Sequence, residues 1–175
     1  MRKFSVFTMI TIAVLMLGSA TASAQTPGAK PPPTYEQAIV NTWKNLHNKI
    51  LTMAKDAVFP EAKLGYKPHP DSRSMYDEFR HVTIGLEMTT ALGKGEKYDF
   101  AAKEKEYDAR PQSRAAIVQE MEAAIAASFA VLDAPGNKPL PQLIGWLDHQ
   151  GEHYGKLVTS YRVNGIVPPI SRPKS

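Results

Sequence analysis

Apolar residues recur at steps of three and four in four separate stretches, and three of them open on a Thr or Ser that can cap a helix. Thr34-Tyr35-Glu36-Gln37 fits a capping box, and Ile39, Trp43, Leu46, Ile50 and Met53 follow on one face, predicting a first helix that ends near Ala57. Phe59 to Arg73 is punctuated by Pro and Gly and reads as a loop. Ser74 with Asp77 three residues on caps a second helix running to Leu92, stopped by Gly93 and Gly95. Its apolar positions form two stripes, Met75, Phe79, Val82 and Leu86 on one side and His81, Ile84, Met88 and Leu92 on the other, the pattern of a helix packed between neighbours. Lys94 to Gln112 lacks periodicity and is expected to be a loop with short turns at most, long enough to act as a lid.

A third helix starts at Pro111 or Ser113, runs through Ile117, Met121, Ile125 and Phe129, and ends at Ala134-Pro135-Gly136. A fourth opens at Pro139 or Pro141 and continues to Arg162 or Val163, with Asn164-Gly165 as a left-handed cap and a proline-rich, extended tail after Ile166. No segment alternates as a strand does. The expected fold is all-α, a four-helix bundle whose ligands would sit between facing helices.

Ahead of this domain, Arg2-Lys3, the apolar run Phe4 to Leu17 and Ala22-Ser23-Ala24 come in the order of an export signal. The run is short of the roughly 20 residues that span a bilayer, so cleavage after Ala24 and no membrane anchor in the mature form are expected. The organisation is then a signal peptide over 1–24, a Pro-rich linker over 25–33 and the helical domain over 34–175, in a secreted or periplasmic protein. Arg2 and Lys3 account for two of the four net positive charges. What is left is no nucleic-acid footprint. The absence of cysteine excludes disulfides, thiolate-ligated metals and cysteine nucleophiles.

Histidine and carboxylate chemistry remain. His149 and His153 stand four apart on the fourth helix, on the face continued by Trp146 and Leu157, a spacing at which two imidazoles can chelate one ion. His81, in the middle of the second helix, is the natural third ligand. Three histidines would leave positions for water, as catalytic metal sites do. Glu78, Asp148 and Tyr154 are candidate oxygen partners for the ligands' other N–H groups. His69, between two prolines, and His47, beside the stripe of the first helix at an expected solvated position, need no role. His149-x-x-Glu152-His153 has the form of an inverted zinc peptidase motif, but too little chain follows to supply that family's distant glutamate. Glu78-x-x-His81 is half of a di-iron carboxylate pattern whose second half is missing, Gln150 standing where its glutamate would be.

Tyr66-Lys67-Pro68 to Arg73-Ser74, Phe79-Arg80-His81, His149-x-x-x-His153-Tyr154-Gly155-Lys156 and Arg162-Val163-Asn164-Gly165-Ile166-Val167-Pro168-Pro169 together resemble the DinB/YfiT-like family of four-helix metal-binding proteins. The resemblance spans Thr34 to Arg172. It implies one divalent metal held by His81, His149 and His153, with zinc the default and nickel or iron alternatives. Lys156 departs from a glutamine frequent in that family. Family members include thiol S-transferases and a thiol-dependent isomerase, so the resemblance implies thiol transfer, which export disfavours, while an ion that activates water would by itself allow hydrolysis; the expected activity is a metal-dependent hydrolase or thiol S-transferase acting on a small-molecule substrate. A non-catalytic bundle that binds metal or a partner, with a homodimer through an exposed apolar helix face among the options, is the other reading, and three histidines in a metal-free polar network a third.

Overall fold

The computed structural model describes residues 30–136 and 141–173. The proposed signal peptide, most of the linker and Pro139 lie outside the described residues. The chain divides into units Met1–Pro32 and Pro33–Ser175, and the second carries the helices. Among the described residues there are five α-helices and no strand: α1 (Tyr35–Lys55), α2 (Met75–Gly93), α3 (Phe100–Asp108), α4 (Arg114–Asp133) and α5 (Leu143–Val163), with short 3-10 turns at Glu61–Lys63 and Pro169–Ser171. The fold is all-α.

The caps form as the sequence predicts. The Thr34 hydroxyl accepts from the Gln37 N–H at 3.3 Å while the Gln37 side chain accepts from the Thr34 N–H at 2.9 Å, and Ser74 and Asp77 repeat the exchange at α2. At the other ends, Gly95 and Gly165 take φ of +76° and +73°. Their neighbours Glu96 and Ile166 donate back to Ala91 and Tyr161, which closes both helices in Schellman turns.

The long helices contact one another around a ring, α1 with α4, α4 with α2, α2 with α5 and α5 with α1, and α3 lies on the outside of α2. The core inside the ring is built from Trp43, Ile50, Met53, Phe79, Val82, Leu86, Ile117, Met121, Leu157 and Tyr161, all 0–2% exposed. Burying each such side chain contributes about 1.5–3 kcal/mol. Their polar atoms are satisfied within the core: the Trp43 indole N–H donates to the Ser128 hydroxyl at 3.1 Å and the Tyr161 hydroxyl to the Met53 carbonyl at 2.9 Å. Thr83, Thr89 and Thr90 donate to carbonyls one turn back along α2 at 2.9 Å, so that helix buries hydroxyls on several sides without orphaning them. Arg114 reaches across to the Ala54 and Phe59 carbonyls, satisfying the C-terminal end of α1.

Three expectations are corrected. The segment Lys94 to Gln112 is not a loop throughout, because Phe100–Asp108 forms α3, capped by the Asp99 carboxylate on the Ala102 N–H at 3.0 Å. It buries only Tyr107, so it has helix-forming composition without an apolar stripe. The tail is not simply extended: it turns at Pro169–Ser171 and is tied to the end of α1 by Arg172, whose guanidinium grips the Asp56 carboxylate at 2.9 and 2.5 Å. His47 is not solvated. The buried face of α1 is centred on Trp43, His47 and Ile50, and the His47 ring lies 4.2 Å from that of Trp43 while its Nδ1–H donates to the Trp43 carbonyl at 2.8 Å.

Burial pushes the His47 pKa down to about 4, against the raising effect of its bond to the Trp43 carbonyl. The unfolded chain, with a histidine pKa near 6.5, binds this proton first. Stability is therefore intact above about pH 6.5 and falls by roughly 1.4 kcal/mol per unit toward pH 4, about 3 kcal/mol in all. Urea denaturation at pH 7.5 and pH 4.5 should give a smaller loss for His47→Phe than for the parent. An identical loss in the two proteins would remove His47 as its source.

Candidate metal centre

The centre is assembled where α2 crosses α5. Gln150 is buried on α5, and its amide donates to the Val82 carbonyl of α2 at 3.3 Å. The close approach needs Gly85, since a Cβ there would come within 2.2 Å of the Gln150 amide nitrogen. Gln150 follows His149 and Val82 follows His81. The contact thus sets the histidines of the two helices at one depth, and it gives Gln150 a packing role where the di-iron pattern wants a carboxylate.

His81, His149 and His153 each offer one ring nitrogen, and the three atoms lie within 4.8 Å of one another. The His149 and His153 Nε2 atoms are 3.0 Å apart. Two nitrogens sharing a tetrahedral zinc are about 3.3 Å apart, from Zn–N distances of about 2.0–2.1 Å. The ring centroids of His81 and His153 are 4.6 Å apart, those of His81 and His149 5.7 Å, and Phe100 closes on the far edge of His81 at 5.1 Å. His153 is fully buried, His81 partly buried and His149 exposed, so the cluster runs from the core to the surface.

Two of the three imidazoles are hydrogen-bonded to a glutamate through Nδ1. His153 Nδ1 bonds Glu78 Oε2 at 2.5 Å, His81 Nδ1 bonds Glu104 Oε1 at 3.0 Å, and Glu152 Oε2 lies 3.9 Å from His149 Nδ1. An ionised carboxylate only accepts, so Glu78 and Glu104 hold the proton on Nδ1 and leave Nε2 with its lone pair free, the form that binds metal. Burial and the Arg73 and His153 charges push the His81 pKa down to about 4, against Glu104. The His149 pKa is lowered as well, first by burial and then by His153. Burial raises the Glu78 carboxyl, but the His153 hydrogen bond and the charges of His153, Lys156 and Arg73 outweigh it and hold Glu78 below the usual range. The lowered values of His81 and His149 favour the neutral imidazole, and that of Glu78 the carboxylate, the forms that a cation requires. The donor set and its partners fit one divalent ion, and among the described residues no fourth His, Cys, Asp or Glu completes the cluster.

Of the three oxygen partners expected from sequence, the structure brings Glu78 to a histidine. Asp148 is exposed, and Tyr154 lies under the Lys49 ammonium, 5.9 Å from its ring centre; neither bonds a histidine. His69 is exposed beside Asp71 at 3.6 Å. Glu104 escaped the sequence reading because it belongs to α3. The Asp99 cap followed by Phe-Ala-Ala-Lys-Glu-Lys-Glu was the available signal for that helix.

Removing an oxygen partner of a ligand histidine costs about 10–100-fold in metal affinity. Glu78→Gln should weaken zinc binding by that factor and Glu104→Gln, the longer and more exposed contact, by less, both read by competition with a chromophoric chelator. Equal affinity in all three proteins would show that the carboxylates do not orient the ligands.

Neither a family model nor a curated protein matches this chain.

Proposed function

We propose that this is an exported, DinB-like four-helix bundle that holds one divalent metal through His81, His149 and His153 and acts as a metal-dependent enzyme of the hydrolase or thiol S-transferase type. The observation that carries the reading is three convergent imidazoles, two of them hydrogen-bonded to a glutamate through Nδ1, and no fourth protein ligand among the described residues. Structural zinc sites close their shell with four protein ligands, while catalytic ones keep a position open. The ring of four long helices supports the bundle, and the DinB-like motifs and the export signal rest on the sequence alone.

A bound ion would supply Lewis acidity, bringing the pKa of a water or thiol toward neutrality. The chain's own groups do the rest. Glu78 and Glu104 fix the tautomers of His153 and His81, and Phe100 covers the outer edge of His81 against solvent. Glu152 is exposed 3.9 Å from His149 Nδ1, on the side of that ring away from its Nε2.

Elemental analysis of the mature protein, purified without a histidine tag, should find about one ion per chain, lost in His81→Ala and His149→Ala. The loaded protein should turn over an ester, an amide or a thiol conjugate, and chelation should abolish that turnover. No bound metal after reconstitution with zinc, nickel or iron would overturn the reading.

A further inference from the structure

Two positive side chains stand beside the histidine cluster, where they can only oppose a cation. Arg73 immediately precedes the α2 cap, and Lys156 lies one turn beyond His153 on α5. Together they line a cavity of about 510 Å³ with Asp71, Ser72, Glu78 and Ser160. Glu78 joins this cavity to the metal centre, since its carboxylate also bonds His153. Arg73 lines a second cavity too, of about 220 Å³, into which His81 and Glu104 face.

Neither cation is consumed by the fold. Lys156 makes no hydrogen bond or ion pair among the described residues. Arg73 has only Glu104, at 3.5 Å with 41% and 40% of the two side chains exposed, an arrangement worth little in water. Of the two carboxylates in the cavity, only Glu78 answers them, and only in part. Glu78 is engaged by His153, and Asp71 is 92% exposed beside His69. Like charges next to a divalent ion lower its affinity, and the Glu78 carboxylate, already bonded to His153, offsets only part of these two, which leaves a place for an added anion between them.

We infer that the substrate is a small oxyanion, bearing a carboxylate or phosphate group that Arg73 and Lys156 hold in the cavity beside the three histidines. This rests on the metal-dependent reading above. The Arg73 fork suits two oxygens at once, Lys156 supplies a point charge, and the Ser72 and Ser160 hydroxyls can donate to the same group. The anion would in turn offset the repulsion the two side chains impose on the ion.

The test is calorimetric titration of the zinc-loaded protein with succinate, inorganic phosphate and neutral succinamide. Succinate or phosphate should bind and succinamide should not, the tighter of the two anions naming the group. The affinity should fall roughly tenfold in Lys156→Met and in Arg73→Gln and weaken with added salt. Zinc affinity without the anion should be unchanged or higher in Lys156→Met, which a merely structural role for the lysine would not produce. Anion binding that is equal in the parent and both variants would overturn the inference, because the anion would then rest on the ion alone. Zinc bound with no anion binding would overturn it while leaving the metal reading standing, whereas a parent that binds no zinc would remove both.

Discussion

The hydrogen bond from the buried Gln150 amide to the Val82 carbonyl, made possible by the missing side chain of Gly85, fixes the register of α2 against α5. The convergence of the three histidines depends on that register. One histidine comes from α2 and two from α5, and a shift of one residue on either helix would turn an imidazole about 100° away from its partners. A buried amide is a demanding choice for such a lock, because its oxygen has no partner of its own. The contact therefore holds only in the one alignment where the amide N–H meets a carbonyl.

The helical framework was legible because its signals are local. Capping boxes at Thr34 and Ser74 and left-handed glycines at Gly95 and Gly165 act over four to six residues, and the structure has each where the sequence put it. What escaped was decided by packing. His47 reads as peripheral when the α1 stripe is centred on Leu46, but the ring fits beside Trp43 and finds a carbonyl one turn back, which makes a polar residue acceptable in the core. The start of α5 at Leu143 lacks a side-chain cap, so the proline upstream placed it only to within a few residues.

The candidate site was half legible for the same reason. The i, i+4 spacing of His149 and His153 is visible in one dimension, and the mid-helix place of His81 made it the natural third member. Glu78 lies on the same helix as His81 but serves His153 instead, a pairing that exists only once the two helices meet. Glu104 lies 23 residues beyond His81 in a charged stretch where nothing local distinguishes it from Lys103, Lys105 or Glu106.

The attachment of α3 makes the environment of His81 depend on a small structural unit. This nine-residue helix buries one side chain, Tyr107, and is tied to α2 through Glu87, which accepts from the Tyr98 and Tyr107 hydroxyls at 3.0 and 2.6 Å, and through Arg80, which donates to the Arg110 and Pro111 carbonyls. So short an element, held mainly by polar contacts, belongs to the low-stability end of a protein's spectrum of local openings. Any opening of it would carry Glu104 and Phe100 away from His81 together. The basicity of one ligand is thereby coupled to an order–disorder equilibrium outside the core.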